Sequence, residues 1–489
     1  MTPVSFEPSM ILAILPEILI LVLGVLVLVL DLILPDERRG VLGWITAAGL
    51  LGIIGISLAV ARPGAEARLV WGGMLRQDWL GFVFNMLFLF AAAITALFST
   101  DLARLGKRGE FYLLMLASTL GMSLMASAAD LIMLYLAIET TSIPLYVLAG
   151  FLTRDDKSTE SGFKYLLFGA MTSTVMLYGF SLLYGFAGTT NLYGLAQSVM
   201  SNRLPIVALF GSLLLVLVGF GFKISAVPMH FWAPDTYEGA PTPIAGFLST
   251  ASKAAGFAVL MRVLISVFPT DITPWPAVIA AISTATMTLG NTLALAQRNI
   301  KRLLAYSSIA HAGYALIGLV AVYNPVSRSL GISSVVYYLV AYVVTNLAAF
   351  GVVAAVGRVV GSDEIAAYAG LSRRSPWLAL TLLVALLSLA GMPPFGGFVG
   401  KFAVFASVVQ SGQVWLAFVG VLNSIVGLYY YLTVLKVVYL YRSEDEDKPL
   451  PVTPSYVTAL IVLVVGIIII GTVLAPWFTV SNTAAAALF

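Results

Sequence analysis

No cysteine occurs anywhere in this 489-residue sequence. Disulfides, thiolate-ligated iron–sulfur clusters and cysteine-based zinc sites are therefore excluded within the chain. Histidine is nearly absent too: only His230 and His311 occur, and nothing around either supports a haem ligand. Charge is sparse. Only 10% of residues are charged, against about 25% in soluble globular chains. No stretch is polar or long enough to fold as a separate soluble domain. No Gly-rich phosphate loop follows a strand, and nothing in the pattern points to a nucleic-acid partner. The N-terminal MTPVSFEPSM lacks a basic n-region and a small-residue cleavage site, so we expect no removed signal peptide. Any redox chemistry this chain serves must sit on other chains; we expect no cofactor and no metal on this one.

What the chain has in abundance is apolar length. Hydrophobic residues make up 60% of it, and runs of about 20 recur from end to end, each long enough to cross a bilayer as a helix. We read one membrane domain, 1–489, as an all-α polytopic membrane protein of about 14 transmembrane helices. The spans fall near 9–33, 41–60, 79–99, 111–128, 131–151, 163–187, 205–235 (broken), 242–267, 276–296, 301–322, 331–360, 376–410 (broken), 413–441 and 455–476.

Alternate loops then collect basic residues unequally. One face holds Arg38, Arg39, Arg104, Lys107, Arg108, Arg154, Lys157, Lys164, Arg298, Lys301, Arg302, Arg358, Arg373, Arg374, Arg442 and Lys448. The other holds Arg62, Arg68, Arg76, Arg203, Arg262 and Arg328. The positive-inside rule makes the first face cytoplasmic and both termini external.

The remaining basic residues, Lys223, Lys253, Lys401 and Lys436, lie inside spans. A lysine at the bilayer centre costs about 2.5–3.5 kcal/mol on insertion scales. Lys436 is close enough to its helix end to snorkel. The other three are not, and neither are Glu139 and His311. Burial lowers a lysine's proton affinity and a nearby carboxylate restores it, so such a row can exchange protons near neutral pH. We expect Glu139 to pair with Lys223, as the one carboxylate near the centre of a span. The plain alternative is a set of buried ion pairs that only hold the fold. His230, Asp235 and Glu238 stand together in PMHFWAPDTYEGAPTP, but their spacing fits no metal signature; a structural re-entrant turn is expected there.

Two spans are interrupted at their centres. One reads GFGFKISAVPMHFWAPD, with Pro228; the other reads SLAGMPPFGGFVGKF, with Gly391, Pro393 and Pro394. Such breaks free backbone groups at mid-depth, which need water or protein partners. They lie about 165 residues apart, an odd number of helices on, so the broken helices run in opposite directions, as in an inverted repeat with an ion pathway between its halves. Glu139, Lys223, Lys253, His311 and Lys401 would then form a polar axis along the membrane. Intramembrane Ser249, Thr250, Ser252, Ser307, Ser308 and Asn346 would hold bridging water.

KISAVPMHFWAPDTYEGAPTP followed by STASK resembles the core motif of the proton-antiporter-like membrane subunits of complex I (NADH–quinone oxidoreductase), and the likeness runs over about residues 10–476. The resemblance implies 14 helices with two inverted five-helix repeats, about 111–267 and 276–441, and two broken helices. It implies proton translocation along Glu139, Lys223, Lys253, His311 and Lys401, driven by quinone reduction elsewhere. NADH, FMN, iron–sulfur clusters and quinone would sit on other subunits. The partners implied are small multi-helix membrane subunits, an M-like antiporter subunit and the lipid bilayer, in a bacterial plasma (inner) membrane. M-like relatives carry glutamate where this chain has Lys401, and L-like ones continue into a lateral helix. The segment EFYLLMLASTLGMSLMASAADLIMLYLAIETTSIPLYVLAGF looks N-like. The rival readings are a subunit of a multi-subunit cation/proton antiporter or of a membrane-bound hydrogenase, a solute carrier with a midplane pocket, and a structural scaffold.

Overall fold

The computed structural model describes residues 8–102, 105–201, 205–443 and 448–489. Arg104 and Arg203, counted above in the charge asymmetry, lie outside the described residues, as does most of the N-terminal MTPVSFEPSM. Thirteen helices among the described residues are long and apolar enough to cross a membrane. They are Leu15–Ile33, Val41–Val60, Trp79–Ser99, Gly109–Ser127, Leu131–Ala149, Asp156–Ala187, Ile206–Ile224, Thr242–Val267, Trp275–Ala294, Ile300–Tyr323, Arg328–Val360, Val414–Leu440 and Pro454–Thr472. One further crossing is divided between Pro376–Ala390 and Gly396–Gln410, each too short to qualify alone. Counted with that twelfth, broken span, the expected order is present throughout. The chain is a multi-pass membrane protein.

Local chemistry sets the ends. Asp78, Asp130, Asp155 and Asn299 each accept a hydrogen bond from a first-turn amide of the third, fifth, sixth and tenth spans, satisfying donors that have no intrahelical partner. Prolines open the ninth, the twelfth and the fourteenth, where a missing N–H costs nothing. Gly188 and Gly361, both at positive φ, close the two long helices Asp156–Ala187 and Arg328–Val360.

The eighth, tenth and eleventh spans are almost wholly enclosed, whereas the first, sixth and thirteenth leave most of their surface outward. Charged groups therefore have a dry middle to cross, and irregular segments gather at two opposite ends. At one end Lys157 meets Glu238, Arg302 meets Asp235, and Arg358 Nη2 donates to Pro451 O. At the other, strands Arg68–Val70 and Leu75–Gln77 pair in a hairpin that also touches Ala128, and Asp130 bridges Asn191.

Some of this was not expected. The hairpin, the short helix Leu192–Met200 and the terminal helix Leu474–Ala486 are additions to the anticipated spans. Leu474–Ala486 packs on the eleventh and third spans. Two residues assigned above to loop faces are buried. Arg262 is fully enclosed, with Nη1 2.6 Å and Nη2 2.9 Å from the Asp78 carboxylate. Lys301 is enclosed too, and its Nζ donates to Ala240 O at 2.9 Å. Each sits near a helix end as expected, but its partner arrives from a distant segment, which spacing along one helix cannot reveal. Lys436 is exposed, its Nζ 5.5 Å from the Tyr441 ring.

Candidate functional site

The two breaks share one backbone device. Ile206–Ile224 ends on Ser225 at φ 57°, and Pro376–Ala390 ends on Gly391 at φ 86°. In each the following amide reaches five residues back, Ala226 N to Gly221 O at 2.8 Å and Met392 N to Leu387 O at 3.0 Å. This is the Schellman closure, which satisfies carbonyls that the stopped helix leaves free. Beyond the first break a second half-helix, Trp232–Gly239, completes the crossing. It delivers Asp235 and Glu238 to Lys157, Lys164 and Arg302. Those pairs occupy both carboxylates, and among the described residues no group of three or more His, Cys, Asp or Glu is arranged to hold a metal. Pro228, Pro393 and Pro394 face outward from the chain.

Lys223 stands in the last turn before the first break and is buried. The expected ion pair with Glu139 is absent. The Lys223 ammonium donates instead to Ser142 Oγ, one turn beyond Glu139 on the fifth span. Glu139 is half-buried and accepts a hydrogen bond from Ser173 Oγ of the sixth span. The two charged groups thus share one helix face through separate serines.

Gly256 brings the seventh and eighth spans together beside Lys223. A Cβ there would lie 2.9 Å from Ile224 Cγ2 and 3.2 Å from Lys223 Cβ. One turn earlier on the same span is Lys253, directly after a π-helical turn, Leu248–Ser252. Such widened turns recur at functional sites. The Lys253 ammonium, buried, donates to Ser308 O at 3.0 Å and to Ser308 Oγ at 2.5 Å. It also lies 5.9 Å from the Tyr237 ring.

From Ser308 the tenth span carries the line onward. His311, buried one turn later, has both ring nitrogens engaged: Nδ1 with the Tyr338 hydroxyl at 2.5 Å, Nε2 with the Tyr431 hydroxyl at 3.2 Å. Tyr431 also bonds Ser307 Oγ. Tyr314 packs edge-on to His311 at 5.7 Å, and the Lys401 ammonium is 4.6 Å from the Tyr314 ring centre. The Lys401 ammonium also reaches back across the second break to donate to Ala390 O at 3.1 Å. The absence of a side chain at Gly391 makes this possible, since a Cβ there would lie 2.9 Å from Lys401 Cδ.

Lys253 and His311 are therefore brought together by Ser308, one turn before His311 on the tenth span, and His311 and Lys401 by the Tyr314 ring between them. Lys223 and Glu139 stand at one end of that line, without a direct bond to Lys253. Buried Ser225 Oγ, two residues beyond Lys223, and the hydroxyl of Tyr237, whose ring faces Lys253, make no hydrogen bond of good geometry with the protein. Buried polar atoms of this kind call for water. Of the polar residues expected to hold it, Asn346 donates to Ser249 Oγ at 2.7 Å and to the Tyr342 hydroxyl at 3.1 Å. Sequence reasoning missed the tyrosines, Ser142 and Ser173, which carry no mark beyond lying in an apolar run. It also missed Glu17, a second carboxylate buried inside a span.

Comparison with known proteins adds the following. Residues 128–427 match a family model described as NADH:quinone oxidoreductase/Mrp antiporter, TM. NADH-quinone oxidoreductase subunit N of Moorella thermoacetica is 44% identical, over 93% of this chain and 94% of its own length. A chain of respiratory complex I from Thermus thermophilus with bound aureothin superposes with TM-score 0.79 at 33% identity, covering 95% of this chain and 98% of that one. A chain of the Mrp complex from Dietzia sp. superposes with TM-score 0.83 at 21% identity, covering 99% and 98%. That last likeness is one of fold alone.

Proposed function

This chain belongs to the NADH:quinone oxidoreductase/Mrp antiporter family of membrane subunits, in its subunit N branch, and on that premise we propose that Glu139, Lys223, Lys253, His311 and Lys401 are its proton-transfer groups. The chain is an antiporter-like membrane subunit of an NADH-quinone oxidoreductase and assembles with other subunits of that complex. Redox cofactors belong to those other subunits; NADH, FMN, iron–sulfur clusters and quinone are the set we assign there. Its neighbours in our reading are small multi-helix subunits and an M-like antiporter subunit. The membrane is the bacterial plasma membrane, both termini periplasmic. Within one membrane domain, 1–489, two five-helix repeats run over about 111–267 and 276–441, the matching caps at Ser225 and Gly391 supporting that division.

One observation carries the proposal: Lys253 bonds Ser308, His311 with its Tyr431 and Tyr338 hydroxyls stands one turn along the same span, and the Tyr314 ring lies between His311 and Lys401, all of them enclosed. Three basic groups that face only hydroxyls, rings and carbonyls have no carboxylate to fix their charge. Each ammonium that gives up its proton leaves a neutral amine, which a dry interior tolerates better. A hydroxyl passes a proton by accepting one and releasing another, and a histidine held between two hydroxyls does the same across its ring. At the other end a proton on Lys223 is stabilised by Glu139 across one turn of the fifth span. Water at the buried Ser225 and Tyr237 oxygens would close the gap to Lys253.

The test is Lys223→Ala in membrane vesicles of the source organism, with proton pumping and NADH–quinone activity recorded together and assembly checked on native gels. We expect an assembled complex in which pumping and coupled turnover fall together. Pumping and turnover at the parent level would make Lys223 structural and remove the Glu139–Lys223 end of the axis.

A further inference from the structure

Glu17 lies outside the proposed axis, on the first span, and the lysine row makes no use of it. It is 7% exposed. Asn85 of the third span and Ser123 of the fourth, 4% and 0% exposed, converge on it. Ser123 Oγ donates to Glu17 Oε1, and Asn85 Nδ2 lies 3.4 Å from the same oxygen. The second carboxyl oxygen, Oε2, is buried with no partner, and so is Asn85 Oδ1. Both donors thus serve one oxygen, while two acceptors are left without a hydrogen.

Among the described residues, no basic side chain pairs with the Glu17 carboxyl. The second and third spans and the short Pro8–Ala13 helix carry no ionisable side chain. Asp31 of the first span and Glu110 and Tyr112 of the fourth sit at the far ends of those helices. Arg262, which approaches the fourth span at Ala126 O, is taken up by Asp78. Among the described residues, no lysine or arginine therefore serves as its counter-ion. A hard metal cation is ill served too, since such ions gather about six oxygens and the cluster offers three side chains. One hydrogen on Oε2 removes both the charge and one of the unmatched acceptors.

We propose that Glu17, Asn85 and Ser123 form a proton-binding site, in which Glu17 stands as the neutral acid with its proton on Oε2. Glu17 sits in the first turn of Leu15–Ile33, and Asn85 and Ser123 one to two turns from the ends of Trp79–Ser99 and Gly109–Ser127, toward the hairpin. The site ties the first span to the third and fourth, ahead of the repeats. It stands independently of the lysine axis and survives or fails separately from it.

Infrared spectroscopy of the purified, assembled complex tests this. A neutral carboxylic acid shows a carbonyl band well separated from that of a carboxylate. The expected result is that Glu17→Gln removes one such band at neutral pH, and that Glu17→Asp, which keeps the acid, shifts it. If the glutamine variant fails to assemble, the shift in the aspartate variant decides. A spectrum unchanged by both substitutions, or unchanged in the aspartate variant where it alone assembles, means that Glu17 is ionised and overturns the proposal.

Discussion

Asp78→Ala should be among the most damaging single substitutions in this chain, although Asp78 is remote from the lysine row. Asp78 and Arg262 are both fully enclosed as side chains. Arg262 is held by two bonds to the carboxylate, at 2.6 and 2.9 Å, and by Nε and Nη2 to Ala126 O at 3.1 and 2.7 Å. Removing the carboxylate leaves a guanidinium buried against one carbonyl, and breaking a buried pair in this way costs about 3–5 kcal/mol. Asp78 also caps the third span through Gly81 N at 2.9 Å, and loss of a cap adds about 1 kcal/mol. The total is a large part of the roughly 5–15 kcal/mol that holds a typical domain. The assay is the yield of assembled complex on native gels together with its thermal midpoint. The double variant Asp78→Ala with Arg262→Met removes the fully buried orphaned charge and should recover part of the loss, leaving the cap deficit and the lost pair with Arg76, whose Nε lies 3.3 Å from the Asp78 carboxylate. A single variant at the parent midpoint, or a double variant no better than the single, refutes the reasoning.

Two further outcomes follow from the helix breaks. Gly391→Ala places a Cβ at φ 86° and 2.9 Å from Lys401 Cδ, so the lysine must leave Ala390 O; proton pumping per turnover should fall in a complex that still assembles, and unchanged pumping would separate Lys401 from the path. Ser225 holds φ 57° without being glycine, a conformation costing about 1–3 kcal/mol; thermal midpoints should show Ser225→Gly within about 1 kcal/mol of the parent, as relief offsets glycine's added chain entropy, and Ser225→Val clearly lower, with equal midpoints for the two counting against strain at the cap.

What was legible in the sequence was what is energetically costly in a membrane. Lys223, Lys253, His311, Lys401 and Glu139 stood out because ionisable groups at mid-depth are expensive, and Pro228, Gly391, Pro393 and Pro394 because they interrupt helices that otherwise run unbroken. The spans themselves follow from apolar length. Tyr338, Tyr431, Tyr314 and Ser308 were invisible as a set because neutral polar residues are tolerated in any span, and only packing decides which of them touch. The Glu139–Lys223 pair was an inference from matched depth, which fixes one coordinate of three; Ser142 and Ser173 occupy the other two. Glu17 fell near the start of its run, where a carboxylate reads as interfacial. Arg262 was assigned to a loop face, and only the fold brings Asp78 to it. The terminal helix Leu474–Ala486 is too short to signal a crossing.

The two breaks show where pseudo-symmetry stops. Their caps correspond atom for atom in the backbone, each an αL residue followed by an amide reaching five residues back. The lysines do not correspond: Lys223 precedes its cap within the same half-helix, whereas Lys401 follows its cap and reaches back over it to Ala390 O. Because the broken helices run in opposite directions, a lysine before one break and a lysine after the other come to the same side of the membrane's middle. The backbone device is thus what the repeat duplicates, and the side chain has been placed separately in each half to meet a common depth. Depth, not sequence register, is the quantity a lateral proton line must hold constant. This also accounts for serine at one cap and glycine at the other. Only at Gly391 does the lysine pass over the cap, and only there must the Cβ be absent.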